Sequence, residues 1–140
     1  MYLPRDAVYL YLPAKEGMNM LKGLGLDLCE IARMDRLLTD ERFLNRYFSD
    51  EEIAYIQSKG KNAAQTLAGI YAAKEALAKA LGTGITFDLK EISISHDEAG
   101  LPGYSLSGKA ATMGTGDHFM LSISHEAGMA AAVCVRETDK

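Results

Sequence analysis

Residues 63–81 read AAQTLAGIYAAKEALAKAL, a run of nineteen residues dominated by alanine and leucine. Alanine loses no side-chain freedom in a helix and leucine loses little, so the run is a strong helix former. Its apolar residues fall on nearly every face, which predicts a central, buried helix rather than a surface one. Gly82-Thr83-Gly84 ends it, because a glycine just past the last turn readily takes the left-handed conformation that closes a helix.

On the amino-terminal side of this helix, KGLGLDL at 22–28 predicts a short strand whose glycines permit close packing and whose end carries Asp27. A helical pattern follows through Glu30, Ile31, Met34, Leu37 and Leu38, and a second helix covers Arg42 to Tyr47. Ser49 with Glu52 three residues later has the spacing of a capping box, which opens a third helix through Ile53 and Ile56. Residues 58–62 read as loop. On the carboxy-terminal side the period changes from helical to alternating: KEISISH, a DEAGLPG turn, GYSLS, a short helix over Gly108 to Met113, then HFMLSISH and MAAAVCV joined by a Glu126-Ala127-Gly128 turn. The expectation is an α+β domain whose second half is a small antiparallel sheet packed with the long helix. SISHDEAG at 93–100 resembles SISHEAG at 122–128, but two short copies are too few for a repeat architecture.

A chain of 140 residues with 48% hydrophobic content and 3 prolines suits one compact domain with a real core. Every apolar stretch is broken by charge or glycine before it could cross a bilayer, so no membrane partner is expected. Residues 1–19 lack the basic start, apolar centre and cleavage site of a secretory signal and are read as a short extension, with Met20 a plausible natural start. Cys29 and Cys134 form neither a CxxC pair nor a disulfide framework, which suits a reducing cytoplasm and two buried small hydrophobes. A net charge of -4 argues against broad phosphate neutralisation and hence against a nucleic-acid partner.

The residues with chemistry in them cluster around the long helix. Glu75 is an acid inside an alanine-rich, largely buried helix, and such a charge requires a partner or a cation. Lys79 lies one turn later on the same face and offers a helix salt bridge; Asp27 offers the other half of a carboxylate pair. Lys74 and Lys79 place two cations around one acid beside a glycine turn with free backbone amides, an arrangement suited to phosphate. That turn lies at the wrong helix end for a dipole-assisted anion site, and neither GxxxxGK[ST] nor GxGxxG is present. His96, His118 and His125 show no HxxxH or HExxH spacing, so zinc is unsupported. Arg33 with Arg36, and Arg42 with Arg46, sit one turn apart among acids and read either as a solvated, salt-bridged face or as a docking strip for an acidic partner.

GLGLDL with an arginine six residues after its aspartate, then FSDEE, LAGIYAAKEALAKALGTGI, the DEAGLP turn and SISH, in that order over Met20 to about Arg136, resemble the holo-[acyl-carrier-protein] synthase group of 4'-phosphopantetheinyl transferases. The resemblance implies a soluble cytoplasmic enzyme of fatty acid biosynthesis. A carrier serine hydroxyl attacks the β-phosphorus of coenzyme A and adenosine 3',5'-bisphosphate leaves. It implies Asp27 and Glu75 as magnesium-holding residues, Lys79 near the pyrophosphate and catalytic with them, and Gly82, Thr83 and Gly84 lining the coenzyme A site. It further implies His125 as a coenzyme A contact and Arg33 on the helix that meets acyl carrier protein. Members commonly form homotrimers with active sites between neighbours, the two acids coming from different subunits.

Two departures matter. Ile70 stands where the family usually carries an arginine, so no coenzyme A contact transfers to that position. The first nineteen residues have no counterpart in the family, which leaves 20–140 as the transferase domain. Two other readings use the same residues: a carrier-binding subunit that keeps the fold without transfer, and a metal-dependent phosphohydrolase acting on a nucleotide.

Overall fold

A computed structural model of the chain describes residues 20–82 and 88–139. The expected extension over 1–19, together with Thr83 and Gly84, lies outside the described residues. In chain order the elements are β1 (Met20–Glu30), α1 (Ile31–Leu37), α2 (Glu41–Tyr47), α3 (Asp50–Gln57), α4 (Ala63–Leu81), β2 (Ile92–His96), β3 (Pro102–Leu106), α5 (Gly108–Met113), β4 (Asp117–Glu126) and β5 (Met129–Thr138). A 3-10 turn at Gly60–Asn62 leads into α4, inside the segment read as loop, and another at Leu89–Glu91 leads into β2.

The second half does not form one sheet. β2 and β3 make a separate two-stranded hairpin, while β4 and β5 are joined by β1 in an antiparallel sheet of order β1-β5-β4. β1 is also longer than expected: its pairing with β5 continues through Glu30, so Asp27 sits within the strand opposite Ala132 rather than at its end. The physical reason is the small-residue inner face of this sheet. Gly23 and Gly25 of β1, with Ala130, Ala132 and Cys134 of β5, leave room for the backbone of α4 to approach. A Cβ added at Gly25 would stand 1.7 Å from the Ala76 carbonyl oxygen, and one at Gly23 would stand 2.1 Å from that of Ala80. The glycines read from the sequence as allowing close packing are therefore where a helix lies directly on a strand.

Helix α4 is central and buried, as its composition predicts: Leu67, Ala68, Ile70, Ala72, Ala73, Ala76 and Leu77 are all excluded from solvent. It ends at Gly82, which is left-handed at φ 77°. The expected capping box opens α3, with Ser49 Oγ accepting from the Glu52 amide at 3.2 Å and Glu52 Oε1 accepting from the Ser49 amide at 2.9 Å. Both cysteines are buried and free, and burial raises both thiols, Cys134 to about 11, as inert small hydrophobes require.

Lys74 has a different place from the one its neighbours suggest. Consecutive helical residues point about 100° apart, so Lys74 and Glu75 face different surroundings. Lys74 turns into the core, where Nζ donates to Glu52 Oε1 at 2.8 Å, to the Leu89 carbonyl at 3.2 Å and to the Ile92 carbonyl, and lies over the Phe48 ring. Its side chain is fully buried. A lysine committed to a buried carboxylate and two carbonyls has no donor left for phosphate, so the phosphate reading of Lys74 is overturned.

Candidate active site

The seam where α4 crosses β1 carries the carboxylate pair. Asp27 is on β1 and Glu75 on α4, and they lie close enough that the Asp27 charge, second only to burial, pushes the Glu75 carboxyl above its ordinary range. One chain thus supplies both acids, and the expectation that they come from different subunits is not met. The close approach permitted by Gly23 and Gly25 brings the helix face bearing residues 75 and 79 onto the strand that bears Asp27.

Lys79 is exposed and does not bridge back to Glu75 along the helix. Its Nζ donates to Asp27 Oδ1 at 3.2 Å and to the Leu26 carbonyl at 2.9 Å. The strand offers a carboxylate and a carbonyl together, and two acceptors outcompete one. Asp27, Glu75 and Lys79 therefore form a single cross-element cluster: two acids side by side with one ammonium on the first.

Tyr71 belongs to this cluster and was not singled out from the sequence. It lies one turn before Glu75 on the same face of α4, which makes the two side chains neighbours. Burial and then the Glu75 charge push the phenol up to about 12, which keeps it protonated. The i, i+4 spacing was a usable signal, but tyrosine in an apolar helix first suggests packing. Arg33 of α1 reaches the same place: its guanidinium carbon lies 5.6 Å from the centre of the Tyr71 ring, Nη2 donates to Cys29 Sγ at 3.9 Å, and its charge favours ionised Glu75.

Two acids with no third fit a magnesium ion held partly by substrate oxygens, since that ion characteristically takes one or two carboxylates plus phosphate oxygens and water. Among the described residues no group of three or more His, Cys, Asp or Glu could hold a metal unaided. Burial first and the Asp27 charge second raise Glu75, a cost that a divalent cation between the two acids would relieve.

His125, near the end of β4, stands apart from the acid cluster. Its Nε2 lies 3.2 Å from where a Cβ on Gly69 would be, six residues or about 9 Å along α4 from Glu75. It lines a cavity of about 220 Å³ together with Thr66, Ile70, Ile123 and His96. His96 is held by stacking on Tyr55, with ring centres 4.2 Å apart and planes within 11°, and burial lowers its pKa. His118 is on the surface 3.4 Å from Asp139. Gly82 closes α4 one turn past Lys79, with its amide donating to the Lys79 carbonyl at 3.0 Å.

This fold, with acids from β1 and α4 meeting over a pair of glycines, defines a class of group-transfer protein: the family model described as the 4'-phosphopantetheinyl transferase superfamily matches residues 23–134, and the chain belongs to that superfamily. Within it, the chain is similar to the holo-[acyl-carrier-protein] synthase of Treponema denticola, with 42% identity over 122 residues spanning 84% of this chain and 99% of the relative. The crystal structure of the holo-[acyl-carrier-protein] synthase of Neisseria meningitidis superposes with a TM-score of 0.74 at 33% identity, covering 85% of this chain and 100% of that one. The Helicobacter pylori synthase, solved in complex with coenzyme A, superposes with a TM-score of 0.70 at 31% identity over 84% of this chain and 99% of that one.

Proposed function

We propose that this protein transfers the 4'-phosphopantetheine arm of coenzyme A to a serine of apo acyl carrier protein, giving the holo carrier and adenosine 3',5'-bisphosphate, in fatty acid biosynthesis. The observation that carries the reading is the convergence of Asp27, Glu75 and Lys79 at the α4–β1 seam of a fold shared with holo-[acyl-carrier-protein] synthases. Residues 20–140 form the transferase domain and 1–19 an extension to it.

Asp27 and Glu75 hold magnesium, and when bound the ion offsets negative charge on the phosphoryl oxygens in transfer. Lys79, fixed by one hydrogen bond to the Asp27 carboxylate and one to the Leu26 carbonyl, directs its remaining donor capacity toward the coenzyme A pyrophosphate. Gly82, Thr83 and Gly84 line the coenzyme A site, and His125 contacts another part of the same ligand. The carrier docks on α1 at Arg33, which brings its serine to the acid pair. Asp27, or a water beside Asp27 or Glu75, accepts the serine proton. Most of the acceleration comes from holding the hydroxyl in line with the β-phosphorus.

The protein works as a cytoplasmic homotrimer with interfacial active sites. Support for the trimer comes from the sheet face turned away from α4, where Leu24, Leu26 and Leu28 of β1 and Met120 of β4 are each more than half exposed. Such a row of large apolar side chains is costly in water and is covered when copies pack sheet to sheet. Among the described residues no helix is long and apolar enough to cross a membrane.

Intact-mass spectrometry of apo acyl carrier protein incubated with the full chain, coenzyme A and magnesium is the direct test. The expected result is a gain of one phosphopantetheine arm that is lost with chelator and nearly abolished in Glu75→Gln. Coenzyme A binding with no gain on several carriers would instead make the chain a carrier-binding module, with Ile70 the first residue to change back to arginine. Release of pantetheine phosphate to water without a carrier would make it a hydrolase.

A further inference from the structure

We propose that Arg136 is a positioning residue of the coenzyme A site: it fixes the last turn of α4 against the sheet, so that Lys79 stays seated on Asp27 and the Leu26 carbonyl. The inference rests on the transfer reading above and adds to it a residue that no part of that reading uses.

The inner face of β5 runs Ala130, Ala132, Cys134 and then Arg136, three small residues followed by a long cation. The small ones lie under the body of α4, and the arginine comes where that helix ends. The last carbonyls of a helix have no partner within it, and a cation placed there also meets the negative end of the helix dipole. Arg136 Nη1 donates to the Leu81 carbonyl at 3.4 Å, Nη2 to the Met113 carbonyl at 3.2 Å and Nε to Asp117 Oδ2 at 2.7 Å. The Asp117 side chain is fully enclosed, with Lys22 Nζ 3.6 Å from its other oxygen. Gly23 of β1 pairs with Arg136, and a Cβ on it would stand 3.4 Å from Arg136 Cδ, so the glycine on which Ala80 sits also borders the arginine stem.

The planar guanidinium serves three acceptors in fixed directions and so ties α4, α5, β4 and β5 at one point. Lys79 is two residues before Leu81, and its carbonyl accepts from the Gly82 amide at 3.0 Å. Its side chain crosses to Asp27 Oδ1 at 3.2 Å and to the Leu26 carbonyl at 2.9 Å. Those two bonds last only while the final turn of α4 lies on β1, and Arg136 is what fastens that turn to the sheet.

The contrasting view is a buried arginine that contributes stability alone. Under it, every variant that folds keeps the parent's coenzyme A affinity. Two changes release Leu81 in different ways. Arg136→Lys keeps a cation for Asp117, but a single ammonium nitrogen cannot reach three acceptors spread around a guanidinium. Arg136→Met combined with Asp117→Leu removes the buried acid together with its cation, an exchange that folded proteins commonly tolerate. In both, the dissociation constant of coenzyme A with magnesium, read by isothermal titration calorimetry without carrier, is expected to rise about fivefold, the factor that loss of one hydrogen bond implies. KM for coenzyme A rises in step, while KM for the carrier stays at the parent value. In the Lys79→Ala background, Arg136→Lys raises the dissociation constant no further. Acetylation of Lys79 by acetic anhydride, read by peptide mass spectrometry against exposed Lys61, becomes several-fold faster as the ammonium leaves its two acceptors.

Parent-like coenzyme A affinity, or parent-like acetylation of Lys79, in whichever variant folds overturns the proposal. An additive effect in the Lys79→Ala background overturns it as well. A parent that binds coenzyme A but transfers no arm sinks the function and not this inference. One that binds no coenzyme A sinks the function too, and the acetylation of Lys79 then decides whether Arg136 holds it.

Discussion

Burial would raise the Asp117 carboxyl, but the hydrogen bond from Arg136 and the charges of Arg136 and Lys22 outweigh it and hold the group below its ordinary value. Arg136 Nε donates to Asp117 Oδ2 at 2.7 Å, and the same guanidinium donates to the carbonyls of Met113 at 3.2 Å and Leu81 at 3.4 Å. It thereby ties the last turn of α4, immediately before Gly82, to the β4–β5 ladder. A carboxyl depressed by folding stabilises the native state above its unfolded pKa, and that contribution is lost as pH falls through the native one. Urea midpoints should therefore drop as pH is lowered from about 5 to about 3, and Asp117→Asn should flatten that part of the profile while lowering the midpoint at neutral pH. An unchanged acid limb in Asp117→Asn would remove Asp117 as its source. Neither residue stood out in the sequence, because they are nineteen positions apart and no local pattern links them.

At the scale of elements, α3, α4 and β2 meet at one buried ion pair. Glu52 Oε1 takes the Ser49 amide and Lys74, and Oε2 takes the Ile94 amide at 3.0 Å, so a single carboxylate caps a helix, neutralises a core lysine and anchors the middle of a hairpin strand. Burial lowers the Lys74 pKa, and the Glu52 charge opposes that shift. Lys74→Ala leaves Glu52 buried without its cation and should cost about 3–5 kcal/mol in urea unfolding. Adding Glu52→Gln should recover part of that loss, and a loss under about 1 kcal/mol in the single variant would show that water reaches the pair. The capping box was legible from Ser49 and Glu52 because it is local. The second partner of Glu52 is twenty-two residues away in α4 and was not.

For the whole molecule, the described chain has one covered and one open sheet face. Strand alternation sends Gly25, Asp27 and Cys29 of β1 toward α4 and Leu24, Leu26 and Leu28 away from it. Leu26, 58% exposed, lies opposite Val133 of the central strand β5. Leu26→Glu should convert a trimer in analytical ultracentrifugation to a monomer and lower transfer with it, since a charge buried between copies has no partner. A parent chain that sediments as a monomer at micromolar concentration would refute the trimer and leave the apolar face to another partner.

What could be read from the chain is what depends on neighbours in sequence: the alanine-rich buried helix and its glycine stop, the capping box, the alternating strands, and Asp27, Glu75 and Lys79 as residues needing partners. Propensity, periodicity and short-range spacing decide these, and they act before any tertiary contact forms. What the tertiary structure decided is who partners whom. The 1.7 Å that a Cβ at Gly25 would leave to Ala76 measures how closely α4 lies on β1. That closeness turns Lys79 from Glu75 to Asp27, while helical phase sends Lys74 to the core instead of the site. Placing α1 and α2 against α4 likewise brings Arg33 over the Tyr71 ring and Phe43 and Tyr47 beside it. Side-chain pairing across elements is set by the distance and angle at which backbones pack, and no local pattern of residues encodes those.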